Sequence, residues 1–180
     1  MIVVTGASAS GKTETAKELG RLFNIKRVVT HTTRPKRPGE IDGVDYHFVT
    51  REKFLELKAQ NFFVETTEYN HNFYGTSRPE IADNKVLVVE TSGARVFLNL
   101  HDKHILLFRL LCSQKAREQR MIDRGDDPTI IKQKLLNDVT RFADAQFKDE
   151  NIIEINTEKN NIEEVAKFIY NTYENYLKNL

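Results

Sequence analysis

Cys112 is the only cysteine in the chain. One thiol closes no intramolecular disulfide and builds no thiolate zinc site. Flanked by Leu110-Leu111 and Ser113, it reads as an inert thiol at a strand end. An excess of one charge is also missing. Lys and Arg number 27 and Asp and Glu 26, a balance that argues against nucleic acid or anionic lipid as the main partner. No apolar run is long enough to span a bilayer, and there is neither an internal repeat nor a low-complexity segment. No HExxH, Ser/His/Asp or Cys/His arrangement offers a metalloprotease or a covalent nucleophile. His101 and His104 are close in sequence, but a strand expected to begin at His104 separates them as metal ligands. A first strand expected from residue 2 leaves no room for a signal peptide. The expectation is a reduced, cytoplasmic protein without nucleic-acid or membrane partners. Its 180 residues suffice for one compact α/β domain with small insertions.

What the chain does have is Gly6-Ala7-Ser8-Ala9-Ser10-Gly11-Lys12-Thr13, a match to G-x-x-x-x-G-K-[ST]. Ile2-Val3-Val4 before it is a β-branched run suited to a buried parallel strand. The residues behind it read as a helix with Leu19, Leu22 and Phe23 on one side. Strand, glycine-rich loop and helix together aim backbone N–H groups and a helix N-terminus at one anion. In such a loop Lys12 bridges the β- and γ-phosphates of a nucleotide and the Thr13 hydroxyl holds Mg²⁺.

Further strands are expected over 26–33, 44–49, 62–69, 85–90, 104–111 and 151–155, and a hairpin turn at Asn70-His71-Asn72. Helices are expected over 51–60 with Thr50 as N-cap and Phe54, Leu55 and Leu57 inward, over 77–81 and over 92–100. Three more are expected over 113–124, from Pro128 towards Phe147, and over 162–177. Strands alternating with helices predict a parallel sheet covered on both faces, with residues 31–76 as a small mixed insertion.

Several separated segments then agree with one family. Thr30-His31-Thr32-Thr33-Arg34-Pro35-Lys36-Arg37-Pro38-Gly39-Glu40 resembles the guanylate kinase pattern S/T-x-T-T-R-x-x-R-x-G-E, and Asp42-Gly43-Val44-Asp45-Tyr46-His47-Phe48 its D-G-x-D-Y-x-F. Phe63-Val64-Glu65, Tyr74-Gly75-Thr76 and Arg120-Met121-Ile122-Asp123-Arg124-Gly125 follow in the family's order. The resemblance implies a P-loop three-layer α/β/α fold: a core over 1–30, 77–112 and 144–180, a GMP-binding insertion over 31–76 and a lid over 113–143. It implies Mg²⁺-dependent transfer from ATP to GMP or dGMP by a monomer or homodimer. Thr30, Arg34, Arg37, Tyr46, Glu65, Tyr74, Thr76 and Glu90 would meet GMP, and Arg34, Arg120 and Arg124, with Lys12, the phosphates in transfer. Alternatives are a kinase of another phosphorylated small molecule, such as a ribose phosphate, and a non-catalytic scaffold of the same shape. The intact Gly11-Lys12-Thr13 argues against the scaffold.

The residue chemistry fits. Arg34 and Arg37 offer two guanidinium forks to a dianionic phosphate, which a hydroxyl from Tyr46 or Tyr74 completes. Guanine presents N1–H and its 2-amino group as adjacent donors, and a carboxylate such as Glu65 accepts both. Adenine lacks those hydrogens and leaves the carboxylate desolvated and unpaired. Arg117, Arg120 and Arg124 share a helix face that can neutralise the transferring oxygens; of these, Arg117 reads as a solvated charge. Asn156, after the last strand, is placed to meet adenine. The chain departs from the family at Ala7 and Ala9, usually Pro and Gly, and at Lys134, usually Arg. Val88, Glu90 and Ser92 replace two acids and a Gln. Val88 is expected to pack inward, leaving Glu90 as the acid that reaches Mg²⁺ through water or meets GMP.

Overall fold

The computed structural model describes residues 1–69, 71–143 and 152–180. β1 (Ile2–Gly6) is buried along its whole length, as an apolar strand covered on both faces must be. It pairs in parallel with β7 (Lys85–Val88) on one side and β8 (Leu106–Leu111) on the other. β2 (Lys26–Arg27) and β9 (Ile152–Asn156) complete the order β2-β7-β1-β8-β9, every pair parallel. The period-two alternation of the strands divides their side chains between two cores. Ile2, Val4, Val86, Phe108 and Leu110 pack with Leu19 of α1 (Lys12–Phe23) and Val165, Ile169 and Tyr173 of α6 (Ile162–Lys178). Val3, Leu87 and Leu107 face Ala94 and Phe97 of α3 (Thr91–Asn99). Helices thus cover both faces of a parallel sheet, the three-layer arrangement the alternation predicts.

A second sheet has the order β4-β3-β6-β5, from β3 (His31–Thr32), β4 (His47–Phe48), β5 (Phe63–Tyr69) and β6 (Asn72–Ser77). α2 (Arg51–Ala59) covers it, its first turn capped by Thr50 Oγ1, which accepts the Lys53 N–H at 3.1 Å. Phe54 of this helix stacks on Phe63 and Phe73, with ring centres 4.6 and 5.3 Å apart. Gly75 lies under that stack. A Cβ there would sit 2.9 Å from the Phe63 ring and 3.0 Å from Phe54, so only glycine lets the rings close on the sheet. Past the core, α4 (Gln114–Asp123) and α5 (Pro128–Ala143) meet through Met121, Ile131 and Leu135, a third small core against which Ala9 of the glycine-rich loop packs.

Some expectations need correction. The strand expected over 26–33 breaks in two. Val28 still donates to Val86 O at 2.9 Å, but the Val29 N–H turns to the Glu80 carboxylate at 3.2 Å, and His31 enters the other sheet. One straight strand cannot serve two sheets. Leu55 faces solvent, 46% exposed, while Phe54 is buried and Leu57 half-buried on the inward side of α2. The helix expected over 77–81 is a 3-10 turn at Arg78–Glu80. β8 begins at Leu106, since a turn closed by Ile105 N–H to Asp102 O precedes it. Asn70 of the hairpin turn, the continuation of α5 towards Phe147 and the start of the last strand at Asn151 lie outside the described residues.

Candidate active site

The loop between β1 and α1 is built by sterics. Gly6 has φ 149°, and a Cβ on it would lie 2.6 Å from Leu110 O and 2.7 Å from Ser10 Oγ. Gly11 is the N-cap of α1, and no side chain caps the first N–H groups of the helix. They form, with the helix dipole, a site for an anion. Lys12 folds over the loop, donating to Gly6 O and to Ala7 O at 3.0 Å. Burial lowers the Lys12 pKa, and the nearby charges of Glu90 and Asp138 act against that shift.

In front of the loop lies a cleft of about 410 Å³ between the two sheets and α5. Ser8, Lys12 and Thr13 line it, together with Glu65, Thr67, Tyr74 and Gly75 of the second sheet and Thr30 and Tyr46 beside that sheet. Val88, Val89, Glu90, Ser92 and Gly93 form the floor, and Lys134, Asn137 and Asp138 reach in from α5. Glu65 is 8% exposed and accepts the Thr76 hydroxyl at 2.8 Å. Burial raises its pKa, and the bonds from Thr76 oppose the rise. Tyr46 and Tyr74 meet edge to face, 6.1 Å between centres. Glu90 is the N-cap residue of α3, at the C-terminal end of β7. Val88 packs against the core cluster of α1 and α6 while also lining the cleft. A larger groove of about 610 Å³ runs along the outer side of α4 and α5. It holds none of the loop or second-sheet residues, so the chemistry points to the smaller cleft.

Other candidate residues surround the cleft without lining it. Arg34 is held by Glu40 at 2.6 Å, and its guanidinium lies 5.4 Å from the Tyr46 ring centre. That carboxylate raises the Arg34 pKa, and its own is lowered in return. Arg37 is exposed, its N–H donating to Glu40 at 2.8 Å. Thr76 is fully buried behind Glu65. Arg120 donates to Ala9 O at 3.2 Å and Thr157 O at 2.7 Å, joining α4 to the loop. Arg124 forms a two-bond pair with Asp126 at 2.7 and 2.5 Å, and Lys134 donates to the same carboxylate at 3.0 Å. These two cations lower the Asp126 pKa. Asn156 accepts the Glu158 N–H at 2.9 Å through its side chain. Arg117 is not a solvated charge: it is 6% exposed and bonded to Asp138.

Asp138, Lys134 and Asn137 were absent from the candidate set. Asp138 had a signal. With Ile131 and Leu135 it completes an i, i+4, i+7 stripe, and a carboxylate on a buried stripe must find a partner.

The guanylate kinase family model matches residues 1–175. The guanylate kinase of Acinetobacter baylyi is 37% identical over 158 residues, covering 82% of this chain and 76% of that protein. That of Nostoc sp. is 37% identical over 134 residues, 71% of this chain and 67% of the relative. Among solved structures, the guanylate kinase from Anaplasma phagocytophilum is similar with a TM-score of 0.73 and 29% identity, covering 97% of this chain and 84% of that one. A gluconokinase from Sinorhizobium meliloti shares the fold alone, with a TM-score of 0.53, 13% identity, and 99% and 93% coverage.

Proposed function

The chain belongs to the guanylate kinase family, and on that premise we propose that the cleft carries out the transfer of the γ-phosphoryl group of ATP to GMP, giving ADP and GDP. The observation that carries this reading is Glu65: a buried carboxylate with one oxygen bonded to Thr76, lining the same cleft as an intact phosphate loop. Residues 31–76 act as the acceptor unit and 113–143 as the lid. Thr30, Tyr46 and Tyr74 hold the acceptor, and Glu65 accepts the two guanine donors. Arg34 and Arg37 take its phosphate, Arg34 exchanging Glu40 for it. dGMP is accepted by the same base contacts.

The loop from Gly6 to Thr13, with Ala7, Ser8, Ala9 and Ser10, presents backbone N–H groups to the ATP phosphates, and Asn156 sits at the adenine end. Phosphoryl transfer asks for positioning and positive charge. Lys12 leaves its carbonyl partners for the β- and γ-oxygens. Arg120 and Arg124, on the lid, neutralise the equatorial oxygens of the transferring group. The oxygen donors present suit Mg²⁺. Thr13 and Glu90 line one cleft, and Mg²⁺ is commonly bound by one or two protein oxygens together with substrate phosphates and water. Thr13 would hold it directly and Glu90 through water, and the ion would neutralise charge on the phosphates.

No helix of the described residues is long and apolar enough to cross a membrane. Coupled release of ADP measured across GMP, dGMP, AMP and ribose 5-phosphate is the test. GMP is expected to lead. Turnover of the ribose phosphate without GMP would replace this reading with its rival.

A further inference from the structure

We propose that Asp138, carried by α5 and locked to Arg117 of α4, is a positioning residue that sets the phosphate loop for ATP. This deepens the kinase reading above and rests on it.

The contacts are specific. Asp138 Oδ2 accepts the Ser8 N–H at 3.1 Å, and Oδ1 accepts the Ser8 hydroxyl at 3.3 Å. Arg117 Nη1 donates to Asp138 Oδ2 at 2.5 Å and to Ser8 O at 3.4 Å. One ion pair thus takes the N–H, the C=O and the hydroxyl of a single loop residue. Both side chains are buried, Arg117 at 8% and Asp138 at 6% exposure.

The loop needs such a clamp. Ala9, next to Ser8, has φ 59°, a left-handed conformation that a residue with a Cβ disfavours. Strained backbone persists only where its surroundings over-determine it. The methyl of Ala9 rests on Met121, Ile131 and Leu135, and Arg120 binds Ala9 O. The Arg117–Asp138 pair fixes the preceding residue from the same two helices. α4 and α5 therefore hold the two loop residues that precede Ser10 and Gly11. Asp138 also borders the cleft beside Lys12, so the pair's geometry sets where that cation can reach.

Removing one partner leaves a buried charge uncompensated and threatens the fold. The informative variant is the double substitution Arg117→Met with Asp138→Leu, which removes both charges, keeps the volume and releases Ser8. It is expected to melt close to the parent. Its kcat/KM for ATP is expected to fall roughly tenfold to a hundredfold, the scale of a small misplacement of catalytic groups. Its KM for GMP should move less than about threefold. Asp138→Asn, which keeps an acceptor for Ser8 but leaves the Arg117 charge unpaired, should melt lower, yet its kcat/KM for ATP should fall between double variant and parent. In ¹⁵N-edited NMR spectra the Ser8 amide, bonded to a carboxylate in the parent, should shift upfield in the double variant.

A folded double variant with parental kcat/KM for ATP overturns the proposal. Tighter binding of ATPγS by the double variant also overturns it, identifying Asp138 as a competitor of the phosphate. If the parent itself leaves GMP unphosphorylated, the kinase reading falls; the Ser8 amide shift and ATPγS affinity then decide the clamp by themselves.

Discussion

Glu65 illustrates how one residue serves function against stability. Burial raises its pKa above the ordinary carboxylate range, so the folded chain gives up this proton less readily than the unfolded chain. The penalty is absent below that range and grows as the pH climbs above it. Glu65→Gln should therefore raise the melting temperature of the ligand-free protein at pH 7 and leave it nearly unchanged at pH 3.5. GMP turnover should lose about 1–3 kcal/mol of transition-state binding and AMP turnover much less. Equal losses for both bases would make Glu65 a structural residue only. Lys12→Ala should abolish turnover without unfolding the protein, because the ammonium's hydrogen-bond partners among the described residues are loop carbonyls, Gly6 O and Ala7 O. Full activity in that variant would dismiss the ATP end of the cleft. Glu90 stands where Val88 offers no second acid. Glu90→Gln is expected to lower kcat and raise the Mg²⁺ concentration needed for half-maximal rate, and normal turnover at limiting Mg²⁺ would refute its role.

At the scale of elements, β6 and α4 make opposite demands. β6 must let Phe54 and Phe63 close over Gly75. Gly75→Ala drives a methyl into both rings and should destabilise the chain by about 1–3 kcal/mol. The KM for GMP should rise with it, since Tyr74 and Thr76 flank the site; chemical denaturation and initial rates read the two effects. α4 ends instead in an exposed pair: the Arg124 side chain is 52% exposed against Asp126. Such a pair contributes only about 0–1 kcal/mol. Arg124→Ala should thus leave stability alone and depress kcat, with little change in ATP binding, if the guanidinium meets charge only in the transition state. An unchanged kcat with a raised KM would show ground-state binding.

Over the whole molecule, the cleft separates a parallel sheet from a mixed one, so a ligand filling it should stabilise the fold. GMP at a hundredfold its Kd should add about 2.7 kcal/mol to the unfolding free energy, and AMP far less. An identical shift from both bases would remove the selectivity argument. The scale at which each feature is set decides where it can be read. The glycine-rich loop was legible because its causes are local: glycine spacing, a preceding β-branched strand and a helix N-terminus all fall within a few turns of chain. The alternation of strands and helices, and with it the layered fold, was legible for the same reason, as was the family, from the order of its separated motifs. Leu55 and the split of 26–33 were not, because a periodic pattern states that a side is buried without stating by what or in which sheet. The Arg117–Asp138–Ser8 clamp joins residues from three elements, and Glu40 rather than solvent occupies Arg34. Composition and local pattern determined the elements and their chemistry; only the packing of distant elements decided which charges neutralise one another, because the cost of burying a charge is met by whichever partner the fold brings within reach.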